Sequence, residues 1–468
     1  MPIDISLKAL SSNTAFKAQT RSRKEIRFNT RAIAAFAAAA LSLPSVVTPG
    51  MTPVAGAETN APTTEAVSTS APRTNAIPGV AERIILSPAA DASTGMNVTF
   101  RTPSAGASVE YRPSGTEQVV STPTVETGKG DGVHQFAALT DLSPATEYEY
   151  RIIGADGNAG PWDSFRTAAA DAQHFNFVYF GDAQNGLTEE AKLSAQAAYS
   201  AVPDAALAVH TGDQINNADD DEQWGQWFEA QGATARTTPM LTALGNHELM
   251  GDPPAKNFQN HFTHPDNGPA ALPDSTYFVD YQGVRFITLT SNNLFLGQQA
   301  KFLDEALSSN PNQWSVVMFH QPVYNATTKR ITTTNLRYFG DILEKHNVDL
   351  VLNGHDHAYA RGHRTDNEVN GENTGPVYMV SSSGSKFYEA EAENAAWDNN
   401  GANRKVWAKE TATYAKTSVE GCTMTVNSVI THEGADSYTS NNINGPGQTM
   451  DSFTIDKCGE SKHVRENL

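Results

Sequence analysis

Cysteine is nearly absent from this sequence, with Cys422 and Cys458 as the only two among 468 residues. Two cysteines exclude a fold that rests on a dense disulfide framework. In an exported protein, two cysteines near the end of the chain are expected to pair, the alternative being two buried thiols. In the chain-entropy model, a bridge closing a loop of roughly 35 residues would stabilise the fold by about 3–4 kcal/mol.

Basic residues are also scarce. Residues 1–57 contain seven of the 33 Lys and Arg residues and two of the 52 Asp and Glu residues, which leaves 26 basic against 50 acidic residues and a formal net charge near −24. No basic run occurs beyond residue 57. We therefore expect no nucleic-acid-binding surface. A small phosphate ester could still bind where metal ions supply the local positive charge.

Long apolar runs are missing after residue 57, so the remainder is predicted to lack a membrane span. Residues 1–57 are typical of an export signal, with basic residues up to Arg31 followed by the apolar stretch AIAAFAAAALSLPSVV. An A-x-A cleavage site ends at Ala57. The apolar stretch is short for a membrane span and contains Pro44. The sequence therefore predicts a secreted or cell-surface protein, with a membrane-anchored form as the alternative and the oligomeric state left open.

The rest of the chain divides by composition and periodicity. Residues 58–76 are rich in Thr, Ser, Ala and Pro without an apolar period, which predicts a disordered linker. Short alternating runs in residues 77–169, such as ERIILSP and TEYEYRIIG, predict a β-sandwich. In residues 172–458 strands alternate with helical stretches, which indicates an α/β sheet with helices on both faces. Residues 459–468 are expected to form a tail. The predicted helices cover 188–201, 297–310 and 335–347.

Five short strings in the second domain each follow a run predicted to be a buried strand. Each contains Asp, Asn or His, the residue types that hold hard or borderline divalent metals. The carboxyl ends of the strands in an open α/β sheet form one crevice, so five such ends in series predict a dinuclear metal site there. The strings are Phe180-Gly-Asp182, Thr211-Gly-Asp213, Gly245-Asn246-His247-Glu248, Phe319-His320 and Gly354-His355-Asp356-His357.

The order and spacing of these strings resemble the calcineurin-like metallophosphoesterases, and most of all the purple acid phosphatases and their bacterial relatives. That family has GD, GDxxY, GNH(D/E), VxxH and GHxH where this chain has GDAQ, GDQIN, GNHE, VVMFH and GHDH. The resemblance covers roughly residues 75–458. It implies a four-layer αββα sandwich preceded by an all-β, fibronectin type III-like sandwich. In the latter, residues 142–150 resemble a motif whose tyrosine packs at a corner and bonds back to the backbone.

The resemblance also implies a role for each ligand. Asp213 would bridge the two metals, since a carboxylate can span ions about 3.5–4 Å apart. The first metal would be held by Asp213 together with Asp182 and His357. The other would be held with Asn246, His320 and His355.

Three further residues are candidates near these ligands. His247 would face the substrate phosphate, where an imidazolium stabilises charge or protonates the leaving oxygen, the alternative being a partner that holds Asn246 in place. His210 could line the pocket, although a structural role is the simpler expectation. Arg361 could orient the loop of the last motif through a salt bridge.

One motif departs from the family. The purple enzymes have a tyrosine that binds ferric iron at the position of Asn216, and an asparagine cannot supply such an anionic ligand. Gln184 stands where the wider superfamily has a histidine, so the amide oxygen of either Gln184 or Asn216 could complete the first metal. These substitutions disfavour an Fe(III)-tyrosinate centre and leave Zn, Mn or Fe(II) open.

Taken together, these features predict an exported hydrolase that acts on phosphoric monoesters through hydroxide bound at a dinuclear metal centre. The first alternative is a phosphodiesterase or nucleotidase that uses the same ligands. An alternative of another class is a surface binding or adhesion protein on an inactive scaffold. A phosphatase activity that is lost when Asp213 is changed would exclude the adhesion protein.

Overall fold

The computed structural model describes residues 74–468. The predicted signal peptide and most of the predicted linker lie outside these residues. The last part of the predicted linker belongs to the fold, because the Asn75 side chain is buried and exchanges hydrogen bonds with the backbone of Ile84.

The N-terminal domain is a β-sandwich of two four-stranded antiparallel sheets, in the orders β1-β2-β6-β5 and β4-β3-β7-β8. Inward residues of both sheets, including Ile84, Val98 and Val109, form its core. The strands are β1 (Glu82–Pro88), β2 (Met96–Thr102), β3 (Ser108–Pro113), β4 (Val120–Pro123), β5 (Val125–Lys129), β6 (Val133–Leu139), β7 (Glu147–Ile153) and β8 (Asp163–Arg166).

The corner tyrosine predicted in this domain is Tyr148. Its ring stacks on Phe165 with centroids 5.7 Å apart, and its hydroxyl accepts a hydrogen bond of 2.9 Å from the Ser143 backbone N–H. The predicted bond from this tyrosine back to the chain is confirmed.

The second domain contains fifteen strands and six α-helices. Its strands are β9 (Phe175–Phe180), β10 (Ala205–His210), β11 (Met240–Thr242), β12 (Tyr277–Tyr281), β13 (Val284–Thr288), β14 (Trp314–Met318), β15 (Leu350–Asn353), β16 (Tyr359–Arg364), β17 (Glu368–Val369), β18 (Glu372–Asn373), β19 (Val377–Val380), β20 (Ala402–Glu420), β21 (Thr423–Thr439), β22 (Thr449–Asp456) and β23 (His463–Glu466). Its helices are α1 (Glu190–Ala201), α2 (Asp221–Gln231), α3 (Lys256–His261), α4 (Leu296–Ser308), α5 (Asp341–Lys345) and α6 (Ala395–Asp398).

These strands form two facing sheets that share one long strand. One sheet has the strand order β12-β13-β14-β15-β19-β16-β20. The other has the order β11-β10-β9-β20-β21-β22-β23-β18-β17, so β20 is the shared strand. The first half of β20 pairs with β16 and its second half pairs with β9. The strand passes from one sheet to the other near Glu410, where φ is +50° and the register with β21 shifts.

Apolar side chains fill the space between the sheets and cover both outer faces. Phe177, Phe286 and Leu352 belong to the central core between the sheets. Helices α4, α5 and α6 pack on one outer face, and α1, α2 and α3 pack on the other. The predicted four-layer αββα sandwich behind an all-β domain is therefore confirmed.

One detail of the C-terminal region differs from the sequence-based expectations, and the expected disulfide is confirmed. Residues 463–466 were expected in a tail but form β23, which pairs with β22 because its buried Val464 continues the hydrophobic core. Cys422 and Cys458 are joined in a disulfide that links the β20–β21 turn to the end of β22.

The sandwich is tied to the second domain by buried polar contacts. Arg236 donates to Asp163 at 2.9 Å, and its carbonyl accepts a hydrogen bond from the Tyr150 hydroxyl at 2.7 Å. Arg83 and Arg101 both pair with Asp221 at the start of α2. Among residues 74–468, no helix is both long enough and apolar enough to cross a membrane.

Candidate metal centre

The six predicted metal ligands lie in loops that directly follow strands. Strands β9, β10 and β11 are parallel neighbours, as are β13, β14 and β15, so the carboxyl ends within each group meet at one edge. The ligands follow β9 (Asp182), β10 (Asp213), β11 (Asn246), β14 (His320) and β15 (His355 and His357). The fold thus brings together residues separated by up to 175 positions.

Glycines before these ligands allow the loops to approach each other. A Cβ atom on Gly245 would lie 2.2 Å from Asp213 Oδ1, and one on Gly354 would lie 2.4 Å from Asp182 Oδ2. Both distances are far shorter than a van der Waals contact. The glycines of the GNHE and GHDH motifs are therefore required by the packing of the site.

Two groups of potential ligand atoms lie side by side and share one carboxylate. Asp213, His320 and His355 form one group, and Asp182, Asp213 and His357 form the other, with the ligand atoms of each group within 4.8 Å of one another. His320 Nε2 lies 3.0 Å from Asp213 Oδ2 and 3.1 Å from Asn246 Oδ1. Asp213 thus belongs to both groups of potential ligand atoms.

The backbone is strained at four of these residues. Asp182, Asp213, His355 and His357 have φ values of +31°, +54°, +74° and +41°. This left-handed region costs energy for residues other than glycine, and such strain concentrates at functional sites. The loops are held there by the surrounding fold, for example by the His355 N–H, which donates to Asp182 Oδ2 at 2.6 Å.

The electrostatics of the cluster favour positive charge. Burial alone would lower the pKa of His320, but the carboxylates of Asp213 and Asp182 outweigh burial and raise it to about 9. Burial raises the pKa of Asp182 well above its usual range. Burial lowers the pKa of His355 to about 2 and that of His357 to about 3, so both rings are neutral and can act as ligands.

The donor set fits divalent cations. Asp182 Oδ1, Gln184 Oε1 and His357 Nδ1 are buried without a hydrogen-bond partner, which is costly for polar atoms unless another group binds them. Two carboxylates, three imidazoles and amide oxygens are ligand types suited to Zn, Mn or Fe(II). The residues present could therefore hold two such ions.

The two candidate amide ligands differ in position. Gln184 Nε2 lies 2.7 Å from His357 Nε2, which places the buried Gln184 amide next to the ligand group that contains His357. Asn216 uses its backbone instead, with its N–H bonded to Gln223 and its carbonyl bonded to the His247 ring. This arrangement favours Gln184 over Asn216 as the added ligand.

His247 lies at the opening of the cluster with one ring nitrogen fixed. Its Nδ1 lies 2.6 Å from the Asn216 carbonyl, which can only accept, so Nδ1 carries the hydrogen. Its Nε2 lies 3.9 Å from Asp213 Oδ2, and 13% of the side chain is exposed. Burial lowers the pKa of His247, and the nearby Lys386 ammonium contributes to that effect. The Nε2 atom is therefore placed to meet a bound ligand.

Glu248 holds two ligand loops together, a role that was not deduced from the sequence. Its Oε2 accepts from the N–H groups of Gly245 at 2.7 Å and Asp213 at 3.0 Å, and its Oε1 accepts from Gln214 at 2.8 Å. Burial and the charge of Asp213 raise the pKa of Glu248 to about 8 despite these three donors. Positive charge bound at Asp213 would relieve that strain.

We expect Glu248→Gln to destabilise both the fold and its metal binding. The amide has one acceptor instead of two, so at least one buried N–H loses its partner, at a cost of about 1–3 kcal/mol. Urea unfolding and metal titration of the variant would measure both effects. Glu222→Gln, at an exposed position on α2, serves as the control, and equal stability of the two variants would contradict the role of Glu248.

The remaining candidates lie beside the cluster or away from it. His210 is buried against Phe180 and Trp227, with centroids 6.4 and 5.9 Å away, so it does not line the opening. Arg361 was expected to orient the GHDH loop or meet substrate, but it is buried on β16 and pairs with Asp451 and Glu466. That expectation is wrong, because strand alternation directs the arginine toward β22 and β23.

A second buried carboxylate, Asp356, fixes the GHDH loop. It accepts hydrogen bonds from the Asn325 side chain at 3.0 Å and from the Ala326 N–H at 2.6 Å, and it pairs with Arg330 at 3.1 Å. Its place between the two candidate ligand histidines is the only sequence signal for this role. Asn325 is fully buried here, which removes it as an acceptor for glycosylation.

Comparison with known proteins agrees with this arrangement. Residues 174–359 match the family model described as calcineurin-like phosphoesterase, and residues 81–167 match the purple acid phosphatase N-terminal domain. The solved structure of purple acid phosphatase PPD1 from yellow lupin (Lupinus luteus) seeds superposes with a TM-score of 0.64 at 18% identity. That match covers 81% of this chain and 75% of the lupin chain.

Curated relatives share part of the sequence. An uncharacterised Mycobacterium tuberculosis protein is 27% identical over 266 residues, which are 48% of this chain and 50% of the relative. The Fe(3+)-Zn(2+) purple acid phosphatase 12 of Arabidopsis thaliana is 23% identical over 277 residues, covering 53% and 58% of the two chains. The chain thus spans about half the length of the curated relatives it matches. On these matches, residues 174–359 form a calcineurin-like phosphoesterase domain, and residues 81–167 form a domain of the type found at the N-terminus of purple acid phosphatases.

Proposed function

We propose that this chain is an exported hydrolase of phosphoric monoesters that uses two divalent metal ions. The observation that carries the proposal is the position of Asp213, which belongs to both ligand groups at once. A shared carboxylate holds two ions at the separation that in-line phosphoryl displacement requires. The ligands would be Asp182, Asp213, Asn246, His320, His355 and His357, with Gln184 as the added candidate.

The metals and the chain would divide the chemistry between them. When bound, the two ions would polarise the phosphoryl oxygens and lower the pKa of water at the site. The strained loops of Asp213 and His355 keep their ligand atoms in place before substrate arrives, so little reorganisation is needed during the reaction. The buried carboxylates of Glu248 and Asp356 hold these loops from behind.

His247 would act on the leaving group. In hydrolysis, water adds to phosphorus while the bond from phosphorus to the ester oxygen breaks, and that oxygen must gain a proton. With Nδ1 donating to the Asn216 carbonyl, Nε2 is the atom that faces the opening, and in the imidazolium form it can donate a proton or a hydrogen bond to the leaving oxygen. His247 therefore serves as the catalytic acid in this proposal.

The protein is expected to work with divalent ions rather than with ferric iron. Gln184 and Asn216 are neutral amides, so neither adds negative charge to the first site. Tyr179 belongs to the core between the sheets, and its hydroxyl is already engaged because it donates to the Asn353 carbonyl. Burial also raises its pKa, which opposes a tyrosinate.

Two further parts of the proposal rest on composition. Export is supported by the signal-like pattern of residues 1–57 and by the disulfide between Cys422 and Cys458, a bond that forms and persists outside the cytosol. A small phosphate ester as substrate is supported by the acidic surface, which is unsuited to a nucleic-acid partner.

We expect the purified protein to be colourless, to contain about two divalent ions per chain, and to hydrolyse p-nitrophenyl phosphate. Hydrolysis of bis(p-nitrophenyl) phosphate should be slower by about tenfold or more, because the diester has one charged oxygen fewer for the metals to bind. Elemental analysis, a visible spectrum and the two rates provide the measurement.

Chelation followed by addition of Zn²⁺ or Mn²⁺ is the control, and activity should return with the metal. A strong visible band that disappears when a nearby tyrosine is changed to Phe would overturn the metal assignment. Faster hydrolysis of the diester would assign the chain to the phosphodiesterases instead.

A further inference from the structure

Two cationic side chains lie over one aromatic ring beside the ligand group that contains His357. The Arg330 guanidinium carbon lies 4.9 Å from the centre of the Tyr388 ring, and Lys386 Nζ lies 5.4 Å from it. The Tyr388 ring meets the His357 ring edge to face at 4.8 Å. Both cations therefore lie within about 10 Å of a metal-ligand ring, by the sum of these distances.

The segment that carries Lys386 and Tyr388 is fixed to the ligand loops by backbone hydrogen bonds. The Gly384 N–H donates to the Asp182 carbonyl at 2.9 Å, and the Tyr388 N–H donates to the His357 carbonyl at 3.0 Å. Ser385 is held in the same way by Asn185 at 3.1 Å. The position of this segment is thus set by the metal-binding loops themselves.

Arg330 is fixed with part of its guanidinium left free. Its Nη1 donates to the His355 carbonyl at 2.9 Å and to Asp356 Oδ1 at 3.1 Å. Within residues 74–468, Nε and Nη2 of this arginine have no hydrogen-bond partner, and 32% of the side chain is exposed. A fixed guanidinium with free N–H groups suits a carboxylate or a phosphoryl group.

Lys386 is a cation without a carboxylate partner in the part of the chain that the structure describes. It is half-buried, and its ammonium lies over the Tyr388 ring. Burial is the main cause of the lowered pKa of His357, and the Lys386 ammonium is the next, so the charge reaches into the cluster. Lys386 is therefore available to pair with an anion bound beside the candidate ligand cluster.

We propose that Lys386 and Arg330, placed by Tyr388, recognise a second anionic group on the substrate. The reacting phosphoryl group is served by the metal ligands and His247, whereas these two cations lie one ring beyond His357. The preferred phosphoric esters therefore carry a carboxylate or a further phosphoryl group on the leaving side. This inference rests on the proposed function, which it deepens by naming the substrate class.

The test measures binding, so it does not depend on turnover. Calorimetry on the full chain loaded with Zn²⁺ compares 3-carboxyphenylphosphonate with 3-carbamoylphenylphosphonate, which differ in charge but hardly in shape. Benzene-1,3-diphosphonate provides the phosphoryl arm. We expect at least one of the two doubly anionic ligands to bind about tenfold more tightly than the amide, as one charge-assisted hydrogen bond would give.

Variants then assign this preference to residues. Lys386→Gln should reduce the preference for a second anionic group about tenfold and leave the affinity for the amide within twofold. Lys386→Arg should retain that preference. Lys301→Gln, on an exposed part of α4, makes the same charge change elsewhere and should alter neither ligand. Arg330→Gln should reduce the preference as well.

Three results would overturn the inference. The first is a wild-type protein that binds the amide as tightly as it binds both ligands with two anionic groups. The second is a preference for those ligands that survives both Lys386→Gln and Arg330→Gln. The third is a loss of affinity in Lys386→Gln that is equal for all three ligands. A wild-type protein that binds these ligands but does not hydrolyse phenyl phosphate would instead overturn the proposed function and leave the binding result to decide the inference.

Discussion

Replacing Asp213 with alanine is expected to remove both metal ions and to lower kcat/KM by about 10³-fold or more. The carboxylate belongs to both ligand groups, so its loss weakens two sites at once. Two catalytic metals stabilise the transition-state charge by several kcal/mol, and each 1.36 kcal/mol corresponds to a tenfold change in rate. Elemental analysis and the rate with p-nitrophenyl phosphate provide the measurement.

Two comparisons separate metal loss from general destabilisation. Asp349→Ala removes another buried carboxylate of the same domain, one that pairs with Lys457 and Lys462. Asp349 lies before the start of β15, at the end of that strand opposite to His355, so this variant should keep both metals. His357→Ala should empty only one site, because His357 belongs to one group. Two metals per chain in Asp213→Ala would show that the carboxylate does not bridge.

The positions of the six ligands could be predicted because each motif combines a buried strand with a polar residue at its end. Buried parallel strands are recognisable as continuous apolar runs, and their carboxyl ends must meet at one edge of the sheet. The bridging role of Asp213 came only from the family resemblance. The sharing of Asp213 between two groups agrees with that role, and the resemblance alone could not have shown the distances.

Residues that hold the site from behind could not be predicted in the same way. Glu248 and Asp356 act through backbone N–H groups of other loops, and a single sequence does not show which loops lie opposite a carboxylate. The nearness of Arg361 to the GHDH motif in sequence suggests nearness in space, and the structure contradicts this prediction. Strand alternation places its side chain on the face toward Asp451 instead.

Helix α2 was missed although its start was marked in the sequence. Asp220 caps the helix by accepting from the N–H groups of Glu222 and Gln223, and Gln223 reaches back toward Asn216 and Asn217. This arrangement is close to a capping box. The apolar positions of the helix are mostly aromatic, with Gly225 among them, and that composition weakens the helical periodicity.

His247→Gln is expected to lower kcat/KM for phenyl phosphate by about 10²–10³-fold while both metals remain bound. General acid catalysis contributes that factor, and His247 is in neither group of His and Asp ligand atoms. Its Nε2 faces the opening because Nδ1 is fixed on the Asn216 carbonyl. Rates on two esters and elemental analysis of the variant provide the measurement.

The choice of ester distinguishes a proton donor from a residue that only positions Asn246. Phenolate is a poor leaving group and needs the proton, whereas p-nitrophenolate leaves readily without it, so the loss should be clearly smaller for p-nitrophenyl phosphate. His346→Gln makes the same change at a histidine that pairs with Asp304 and should leave both rates within twofold. Equal losses of kcat/KM on the two esters, together with a lost metal, would instead make His247 a residue that only positions Asn246. The reason is that a residue that protonates the leaving oxygen must matter more for phenolate, the poorer leaving group, than for p-nitrophenolate.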